Sequence, residues 1–431
     1  MRVEIGPEFA ESTDAHAAAA IIRKCVHCGF CNATCPTYRL TGDELDGPRG
    51  RIYLIKQLLE GGAAGERTRS HLDRCLTCLN CETTCPSGVE YGRLVEIGRP
   101  LVEARAPRSL GARLQRALLR EGLTSRGFAA AVALGRRVRP LLPRGWRDRL
   151  PPRSVATTPA HEPAPPTPIV PATHVPATSE GSDRAPRRVL LLAGCVQPSL
   201  LPAIDRATER VLAAAGVGTR VVAGAGCCGA LREHLSDHAG ALHAMRRNVD
   251  AWWPLLSCGE ADAIVVNASA CALMVKNYPR ALAEDPRYAA KAATVGATAR
   301  DLGELVAALA PRLRGRVRAA RAGPIAFHPP CTLQHGQRLG GVVEAALRGL
   351  GFDLRPAVRD ANLCCGSAGA YSILEPAIAT ALRDQKVGAL EETGAGTIAS
   401  ANVGCILHLQ AGTTRPVRHW IEIVADALAA Q

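Results

Sequence analysis

The stretch Cys25-Val26-His27-Cys28-Gly29-Phe30-Cys31-Asn32-Ala33-Thr34-Cys35-Pro36 decides the fold of the N-terminal part of the chain. Its spacing, C-x-x-C-x-x-C-x-x-x-C-P, returns between Cys75 and Pro86 with every cysteine displaced by 50 positions (75 − 25, 85 − 35). Bacterial ferredoxins bind two [4Fe–4S] clusters with such runs. Structural zinc sites use paired C-x-x-C units instead, and disulfide frameworks belong to small secreted domains. The doubled run predicts a helical, ferredoxin-like domain that transfers single electrons.

The fourth cysteine of each run predicts an exchange of ligands between the two clusters. Three thiolates spaced by two residues wrap three corners of one cubane, whereas the fourth, followed by proline, ligates the other cluster. We assign to the first [4Fe–4S] cluster Cys25, Cys28, Cys31 and Cys85. We assign to the second [4Fe–4S] cluster Cys35, Cys75, Cys78 and Cys81.

Composition narrows the class of protein and its compartment. The chain has 431 residues, of which 47% are apolar, enough for two or three globular domains. A net charge of +13 favours an anionic partner, while an aromatic content of 3% argues against nucleic acid. The 17 cysteines, with no apolar leader in residues 1–10, predict reduced thiols in a cytoplasm. We expect a cytoplasmic protein, with peripheral contact to the cytoplasmic face of the inner membrane left open.

The N-terminal half divides into three segments. A ferredoxin-type domain at 14–100 contains a short helix at 14–24 and an amphipathic helix at 49–60 that packs on the cluster loops. An arginine-rich helical segment follows at 101–150, either docking on a partner subunit or anionic lipid, or covering the ferredoxin-like domain. A proline-rich linker at 151–186 cannot bury a core.

The C-terminal half is a second duplication. Apolar strands lead to Cys195 and Cys271, and a Cys-Cys-Gly sequence stands between them; the same pattern returns with offsets of 136 (331 − 195), 137 (364 − 227) and 134 (405 − 271). We predict two α/β cysteine-rich repeats at 187–310 and 322–431, with helices at 203–215 and 341–350. Ligands of open α/β sheets bind beyond the carboxyl ends of strands, so each set of thiols should converge there.

Each repeat therefore offers four candidate metal ligands. In the first repeat they are Cys195, Cys227, Cys228 and Cys271, and in the second Cys331, Cys364, Cys365 and Cys405. Converging thiols in a reducing compartment suit zinc or a further iron–sulfur cluster, although packed thiols also serve as small apolar groups. Cys258 fits neither repeat and is expected to be a core thiol. His328 and His335 flank Cys331 and are candidates either for structural hydrogen bonds or for ligation.

The whole pattern resembles a known family. The doubled Cys-Cys-Gly arrangement is similar to the cysteine-rich domain of heterodisulfide reductase subunits, and the full layout resembles the third subunit of anaerobic glycerol-3-phosphate dehydrogenase and lactate-utilisation proteins. The chain most resembles the family of glycolate oxidase iron–sulfur subunits. The segments that carry this resemblance are residues 25–31, 42–56 (GDELDGPRGRIYLIK), 71–78 (HLDRCLTC), 250–254 (DAWWP), 331–335 (CTLQH) and 418–424 (RHWIEIV).

The resemblance implies one subunit of an enzyme that oxidises glycolate to glyoxylate. A separate flavoprotein would take the hydride, and this chain would relay electrons from it toward the quinone pool without being catalytic alone. No G-x-G-x-x-G fingerprint follows a strand, which agrees with a flavin on another chain. The alternatives are the equivalent subunit of a lactate or glycerol-3-phosphate dehydrogenase, a heterodisulfide-reductase-like enzyme, and a scaffold with structural metals.

One departure concerns the cysteine-rich repeats. The fullest form of their motif ends in C-x-x-C, but this chain has Ala268 and Asn402 at the earlier position. Four candidate thiolates per site, not five, argue against a non-cubane cluster of the heterodisulfide-reductase type. Zinc and a conventional cluster both stay open.

Overall fold

The computed structural model describes residues 1–125, 127–138 and 186–429. Helices build the N-terminal domain: α1 (Thr13–Arg23), α2 (Phe30–Ala33), α3 (Pro36–Thr41), α4 (Pro48–Leu59), α5 (Glu66–Asp73), α6 (Asn80–Thr84) and α7 (Tyr91–Arg105), with 3-10 turns at Pro7–Phe9 and Glu44–Asp46. Both helices that the sequence predicts are present, as α1 and α4. The side chain of Ser12 caps α1 by accepting from the backbone N–H of Ala15.

Helix α4 forms the centre of this domain. Pro48 occupies its first turn, where the missing N–H costs no hydrogen bond. Its apolar face buries Ile52, Ile55 and Leu59 against α1 and α7. The predicted packing of this helix on the cysteine loops is confirmed, because residues of its N-terminal half line both cavities that the cysteines form.

The arginine-rich segment continues as α8 (Leu110–Thr124) and α9 (Phe128–Val138). Arg108 pairs with Asp73 of the N-terminal domain (Nη2–Oδ1 2.9 Å), and Arg120 of α8 lies 3.4 Å from Asp237 of the first repeat. These arginines therefore cover and join domains, which is one of the two roles considered for the segment. The apolar side chains Leu110, Leu114 and Leu118 of α8 stay exposed. Residues 139–150 and the predicted linker, apart from Pro186, lie outside the described residues.

Each cysteine-rich repeat folds around a four-stranded parallel sheet, as the predicted α/β class requires. The first sheet has the order β2-β1-β3-β4, with β1 (Arg188–Leu191), β2 (Gly218–Val221), β3 (Ala263–Val266) and β4 (Ala299–Asp301). The second has the order β6-β5-β7-β8, with β5 (Ile325–His328), β6 (Leu354–Arg355), β7 (Thr397–Ser400) and β8 (Val417–His419). In register, Leu190 pairs with Ile264 in the first sheet, and Phe327 with Ala399 in the second.

Helices surround the two sheets. The first repeat contains α10 (Gln197–Leu200), α11 (Ala203–Ala214), α12 (Ala230–His234), α13 (His238–Ser257), α14 (Ser269–Lys276), α15 (Tyr278–Ala281), α16 (Ala289–Thr298) and α17 (Leu302–Leu313). The second contains α18 (Val342–Gly349), α19 (Tyr371–Leu374), α20 (Pro376–Glu391), α21 (Val403–Gln410) and α22 (Trp420–Asp426), and a π-helix at Thr332–Gly336. The short 3-10 turns Arg314–Arg316 and Ala319–Ala322 connect the repeats. Helices α11 and α18 match the predicted ones.

The Cys-Cys-Gly sequence is a turn that only glycine allows. Gly229 and Gly366 adopt φ of 95° and 89°, which L side chains rarely occupy. A Cβ on Gly366 would also lie 2.6 Å from the backbone oxygen of Ala379. The turn packs against the second helix after it, Gly229 against Ala241 of α13 in the first repeat and Gly366 against Ala379 of α20 in the second.

The two repeats share one hydrophobic core and a set of buried hydrogen bonds. His419 of the second repeat donates through Nε2 to the backbone oxygen of Asn267 (2.9 Å), while its Nδ1 accepts from Ile421. Gln337 donates its amide to Asp301 of the first repeat (2.9 Å). The repeats therefore form one body, with the carboxyl ends of their central strands facing each other.

Two expectations about cysteines are wrong. None of the four strands predicted to end in a cysteine does so. β1 and β5 stop at Leu191 and His328, four and three residues before Cys195 and Cys331. β3 and β7 stop at Val266 and Ser400, and Cys271 and Cys405 lie on the helices that follow. Cys258 is not a core thiol: it ends α13 and is exposed. Among the described residues, no helix is long and apolar enough to span a membrane.

The contact between Asp301 and Gln337 predicts a pH dependence. Burial raises the pKa of Asp301 to about 6, although hydrogen bonds from Gly303 and Gln337 oppose the rise. The unfolded chain has a pKa of about 3.9, so the native state binds this proton more tightly and the free energy of unfolding falls as pH rises through this range. In Asp301→Asn this loss, about 1.4 kcal/mol between pH 5 and 7.5, should be absent.

Calorimetric unfolding of anaerobic protein across this pH window measures the difference between variant and wild type. Asp237→Asn is the matched control, because Asp237 also caps a helix but its pKa is lowered: burial opposes this, while Arg232 and a backbone N–H drive it. The control should run parallel to wild type. A parallel course for Asp301→Asn would contradict the prediction.

Candidate metal centres

The first cavity of the N-terminal domain brings together the cysteines assigned to the first cluster. Its lining includes Cys25, Cys28, Cys31 and Cys85, and also Cys81 of the second group. The outer side is open: Cys28 is exposed, and Val26 and Phe30 beside it are 68% and 61% exposed. Burial and the neighbouring thiols raise the pKa of Cys31 to about 11.

The second cavity brings together the other four cysteines of the two runs. It is lined by Cys35, Cys75, Cys78 and Cys81. Burial, followed by the neighbouring thiols, raises the pKa of Cys81 well above its ordinary value. Four thiols in one cavity fit a cation-rich centre, because bound metal deprotonates thiols that would otherwise stay neutral. The grouping agrees with the sequence assignment, while the bond of each sulfur to iron stays a prediction.

The loops around this cavity point hydrogen-bond donors at sulfur. Thr77 and Leu79 adopt positive φ of 50° and 63°, which turns the chain sharply between Cys75 and Cys81. The N–H of Thr77 lies 3.4 Å from the sulfur of Cys75, and the hydroxyl of Tyr91 lies 3.7 Å from it. Such donors stabilise negative charge on sulfur and tune cluster potential.

A buried network of charged side chains lies beside the second cavity, and Arg51 of this network lines it. Asp46 is fully buried, and its carboxylate lies 2.8 Å from His71 Nδ1, 3.0 Å from Arg74 Nη1 and 3.8 Å from Arg51 Nη2. Arg51 is 1% exposed and also donates to the hydroxyl of Thr37, which lies 3.2 Å from the sulfur of Cys35. Burial alone would lower the pKa of Arg51, but Tyr91, Cys75, Cys35 and Asp46 raise it overall, so this cation stays charged.

Sequence reasoning missed this network. Its members are separated by up to 28 positions, from Asp46 to Arg74, and one chain alone gives no sign that Arg51 points inward. The available signal was indirect: Asp46, Arg51, His71 and Arg74 all lie in the two segments, 42–56 and 71–78, that carried the family resemblance.

The first repeat gathers its four cysteines into a chain of contacts. The thiol of Cys227 lies next to those of Cys195 and Cys228, and the thiol of Cys228 lies next to that of Cys271. They lie beyond β1 and β3, the central strands, where open parallel sheets bind ligands. Asn248 holds the turn by accepting from Gly226 and donating to the backbone oxygen of Cys227.

The second repeat gathers its cysteines in a longer row that reaches the N-terminal domain. The thiol of Cys331 lies next to those of Cys78 and Cys364, Cys364 lies next to Cys365, and Cys365 lies next to Cys405. The row therefore starts at a cysteine of the second cavity. At its far end, a ring nitrogen of His328 and the sulfurs of Cys365 and Cys405 all lie within 4.8 Å of one another.

The two histidines near Cys331 differ. His335 donates through Nε2 to the backbone oxygen of Asn362 (2.9 Å), and its Nδ1 lies 3.0 Å from the hydroxyl of Thr83. It therefore serves as a structural link between the second repeat and the N-terminal domain. His328 is fully buried, which lowers its pKa well below the ordinary value and keeps its ring neutral.

Comparison with known proteins places these centres in a family. The 4Fe-4S dicluster domain matches residues 21–89, and the cysteine-rich domain matches residues 189–276 and again 325–410. The glycolate oxidase iron–sulfur subunit of Escherichia coli (strain K12) is 46% identical over 429 residues, or 99% of both chains.

More distant relatives match less. The probable glycolate oxidase iron–sulfur subunit of Bacillus subtilis (strain 168) is 28% identical over 96% of this chain and 93% of its own. Lactate utilization protein A of Geobacillus kaustophilus (strain HTA426) is 29% identical over 57% of this chain and 99% of its own. The resemblance seen in the sequence and the predicted pair of [4Fe–4S] clusters are confirmed.

The buried arginine predicts a change in reduction potential. Arg51→Met removes a positive charge beside Cys35 and Cys75 while Asp46 keeps His71 and Arg74 as partners. Because a reduced cluster carries one more negative charge, the potential of one of the two clusters should fall by tens of millivolts. Anaerobic redox titration followed by EPR measures it.

Lys56→Met is the matched control, since Lys56 lies on the same helix but pairs with Glu60 at its outer end. It should leave both potentials unchanged. Equal potentials in Arg51→Met and wild type, at equal iron content, would mean that the buried cation does not act on a cluster.

Proposed function

Because this chain belongs to the family of glycolate oxidase iron–sulfur subunits, we propose that it transfers electrons from a flavoprotein partner to a quinone acceptor. The flavoprotein partner is the subunit that oxidises glycolate. The observation that carries the proposal is the pair of cavities lined by the cysteines of the two runs, one open at the surface and one enclosed. The match to glycolate oxidase subunits runs along the whole chain, while the match to lactate utilization protein A covers about half, which favours glycolate. The chain is not expected to be catalytic alone.

The eight cysteines of the two runs are the proposed cluster ligands. Those of the open cavity are Cys25, Cys28, Cys31 and Cys85, and those of the enclosed cavity are Cys35, Cys75, Cys78 and Cys81. A [4Fe–4S] cluster accepts and releases one electron at a time when bound. Around the enclosed cavity, Arg51 holds a fixed positive charge, and Thr77 and Tyr91 direct donors at Cys75.

The open cavity is the proposed face for the flavoprotein. Electron transfer needs close approach, and Cys28 is exposed while Val26 and Phe30 form an apolar rim around it. A large aromatic side chain that is 61% exposed gains free energy when a partner covers it. The enclosed cavity cannot serve this purpose, because Cys78 packs against Cys331, Cys364 and Tyr371 of the second repeat.

The cysteine-rich repeats are proposed to hold further metal. This assignment is supported by rows of neighbouring thiols beyond the carboxyl ends of the parallel strands. The thiols are Cys195, Cys227, Cys228 and Cys271 in one repeat and Cys331, Cys364, Cys365 and Cys405 in the other. We also propose a cytoplasmic location with contact to the inner-membrane surface. All 17 cysteines are free thiols, as a reducing compartment requires, and the net charge of +13 favours anionic lipid.

The exchange of ligands between clusters can be tested by iron content. The variant Cys75→Ser/Cys78→Ser/Cys81→Ser should keep about 4 iron per chain, because the first cluster retains its ligands. Adding Cys85→Ser should lower the iron content or change the EPR signal, since it removes the fourth thiolate. Adding Cys35→Ser instead should change neither.

Circular dichroism of each variant checks that the helices persist, and Cys258→Ser, an exposed thiol outside both runs, controls for loss of any cysteine. The opposite dependence, with Cys35 needed and Cys85 dispensable, would show that each run closes its own cluster.

Function itself is tested in the complex reassembled with its flavoprotein partner. Glycolate should reduce the clusters, and freeze-quench EPR measures the rate. Lactate and glycerol 3-phosphate should reduce them at least about tenfold more slowly, because a selective site binds its own substrate better. Phe30→Asp and Val26→Asp should slow reduction without loss of iron, because they place charge on the docking rim. The chain without its partner should not oxidise glycolate.

Leu110→Asp is the control for the docking face, since Leu110 is 81% exposed on α8, away from the open cavity. If Leu110→Asp lowers the rate of cluster reduction and Phe30→Asp leaves it unchanged, the flavoprotein docks on the arginine-rich segment and not at the open cavity. Faster reduction by lactate would overturn the assignment of the substrate.

A further inference from the structure

His328 is the one buried histidine of the described residues whose two ring nitrogens both lack a hydrogen-bond partner. It is 1% exposed, at the end of β5. Leaving a buried polar group unpaired destabilises the folded state. By contrast, His419, equally buried, has both nitrogens hydrogen-bonded. The imidazole of His328 therefore needs a partner that the protein's own donors and acceptors do not supply.

The nearest candidates for that partner's other ligands are sulfurs. The sulfurs of Cys365 and Cys405 and a ring nitrogen of His328 all lie within 4.8 Å of one another. All three residues are buried. An imidazole and two thiols around one point are the donors that zinc prefers, with bonds of about 2.0–2.1 Å to nitrogen and 2.3 Å to sulfur. Oxygen-seeking cations such as Mg²⁺ and Ca²⁺ do not suit this set.

The first repeat shows that the fold does not require this imidazole. Three residues before the first cysteine of each repeat, Leu192 stands where the second repeat has His328. Leu192 is 2% exposed and packs in the core of its repeat. An apolar side chain fills this position well, so the histidine answers a need specific to the second repeat.

Polar groups around the second site suit a charged metal–thiolate centre. Asn402 donates its amide to the sulfur of Cys405 (3.6 Å), while Ala268, at the corresponding position of the first repeat, cannot. The ammonium of Lys386 is buried near Cys331, Cys364 and Cys365 and donates to backbone oxygens of Asp360 and Ala361. Donors to ligand sulfur and a nearby cation both stabilise bound thiolates.

We propose that His328, Cys365 and Cys405 bind one zinc ion in the second repeat, with Cys364 as the next thiol in the row for a fourth position. This deepens the proposal that the repeats hold metal, and it distinguishes the two repeats: the first offers thiols alone, the second a mixed nitrogen and sulfur site. It does not depend on the electron-transfer function, because zinc has a single oxidation state in proteins.

The test uses the full chain purified anaerobically with its clusters. Wild-type protein should contain zinc in addition to about 8 iron, and zinc K-edge EXAFS should show nitrogen as well as sulfur neighbours. His328→Leu, which copies the first repeat, should lose one equivalent of zinc or leave an all-sulfur shell, with the iron content unchanged. His328→Cys should restore the zinc with sulfur in place of nitrogen.

His419→Gln is the control for loss of a buried histidine, because its nitrogens are engaged in hydrogen bonds. It should keep the zinc and its nitrogen neighbour even where it lowers thermal stability. An all-sulfur shell in wild type, or equal zinc and equal nitrogen scattering in His328→Leu, would overturn the inference. Iron well above 8 per chain without zinc would overturn it too, while leaving the proposed electron-transfer function intact.

Discussion

The structure depends on one constraint: sixteen thiols are gathered into four groups, and thiols become stable metal ligands only where positive charge and hydrogen-bond donors surround them. Three of the groups differ in what surrounds their thiols. The enclosed cavity has the buried cation Arg51, held by Asp46, while the open cavity lies close to water. The second repeat has Lys386 and Asn402. The helices and sheets place these cations and hydrogen-bond donors beside the sulfurs.

Duplication produced both halves of the chain, but the copies have diverged in their contacts. In the N-terminal domain, the copy that begins at Cys25 faces outward, and the copy that begins at Cys75 is covered. Among the described residues of the C-terminal half, only the second repeat reaches the N-terminal domain with its thiols. Its Tyr371 donates to the backbone oxygen of Arg74 (3.1 Å), and Asn80 donates to that of Asn362 (3.1 Å). Equal sequences would fold alike, so the differing residues decide which copy is exposed and which is enclosed.

The sequence was sufficient for features that depend on local spacing. The cysteine runs predicted which thiols share a cavity, because four residues in a short loop have few ways to surround a cluster. Periodic apolar residues predicted α4, α11 and α18 within a residue or two. Features that depend on distant partners were missed. Nothing near Arg51 indicates that Asp46 and Thr37 hold it inward, and nothing near Cys258 indicates that α13 ends at the surface. Strand ends were overextended at Cys271 and Cys405 because helices start within three residues of those strands.

His328 differs from the residue at the matching position of the first repeat, and this difference bears on its role. A buried histidine alone says little, since His419 is just as buried and only joins the repeats. The paired position Leu192 removes the alternative that packing demands an imidazole there. The unpaired nitrogens remove the alternative that the protein's own hydrogen bonds demand it. What is left is ligation, and the thiols of Cys365 and Cys405 are the groups within reach. The row of thiols from Cys78 to Cys405 connects this site to the enclosed cavity. His328, the residue that differs between the repeats, therefore lies at one end of this row. Among the described residues, no other row of thiols from a repeat reaches the N-terminal domain.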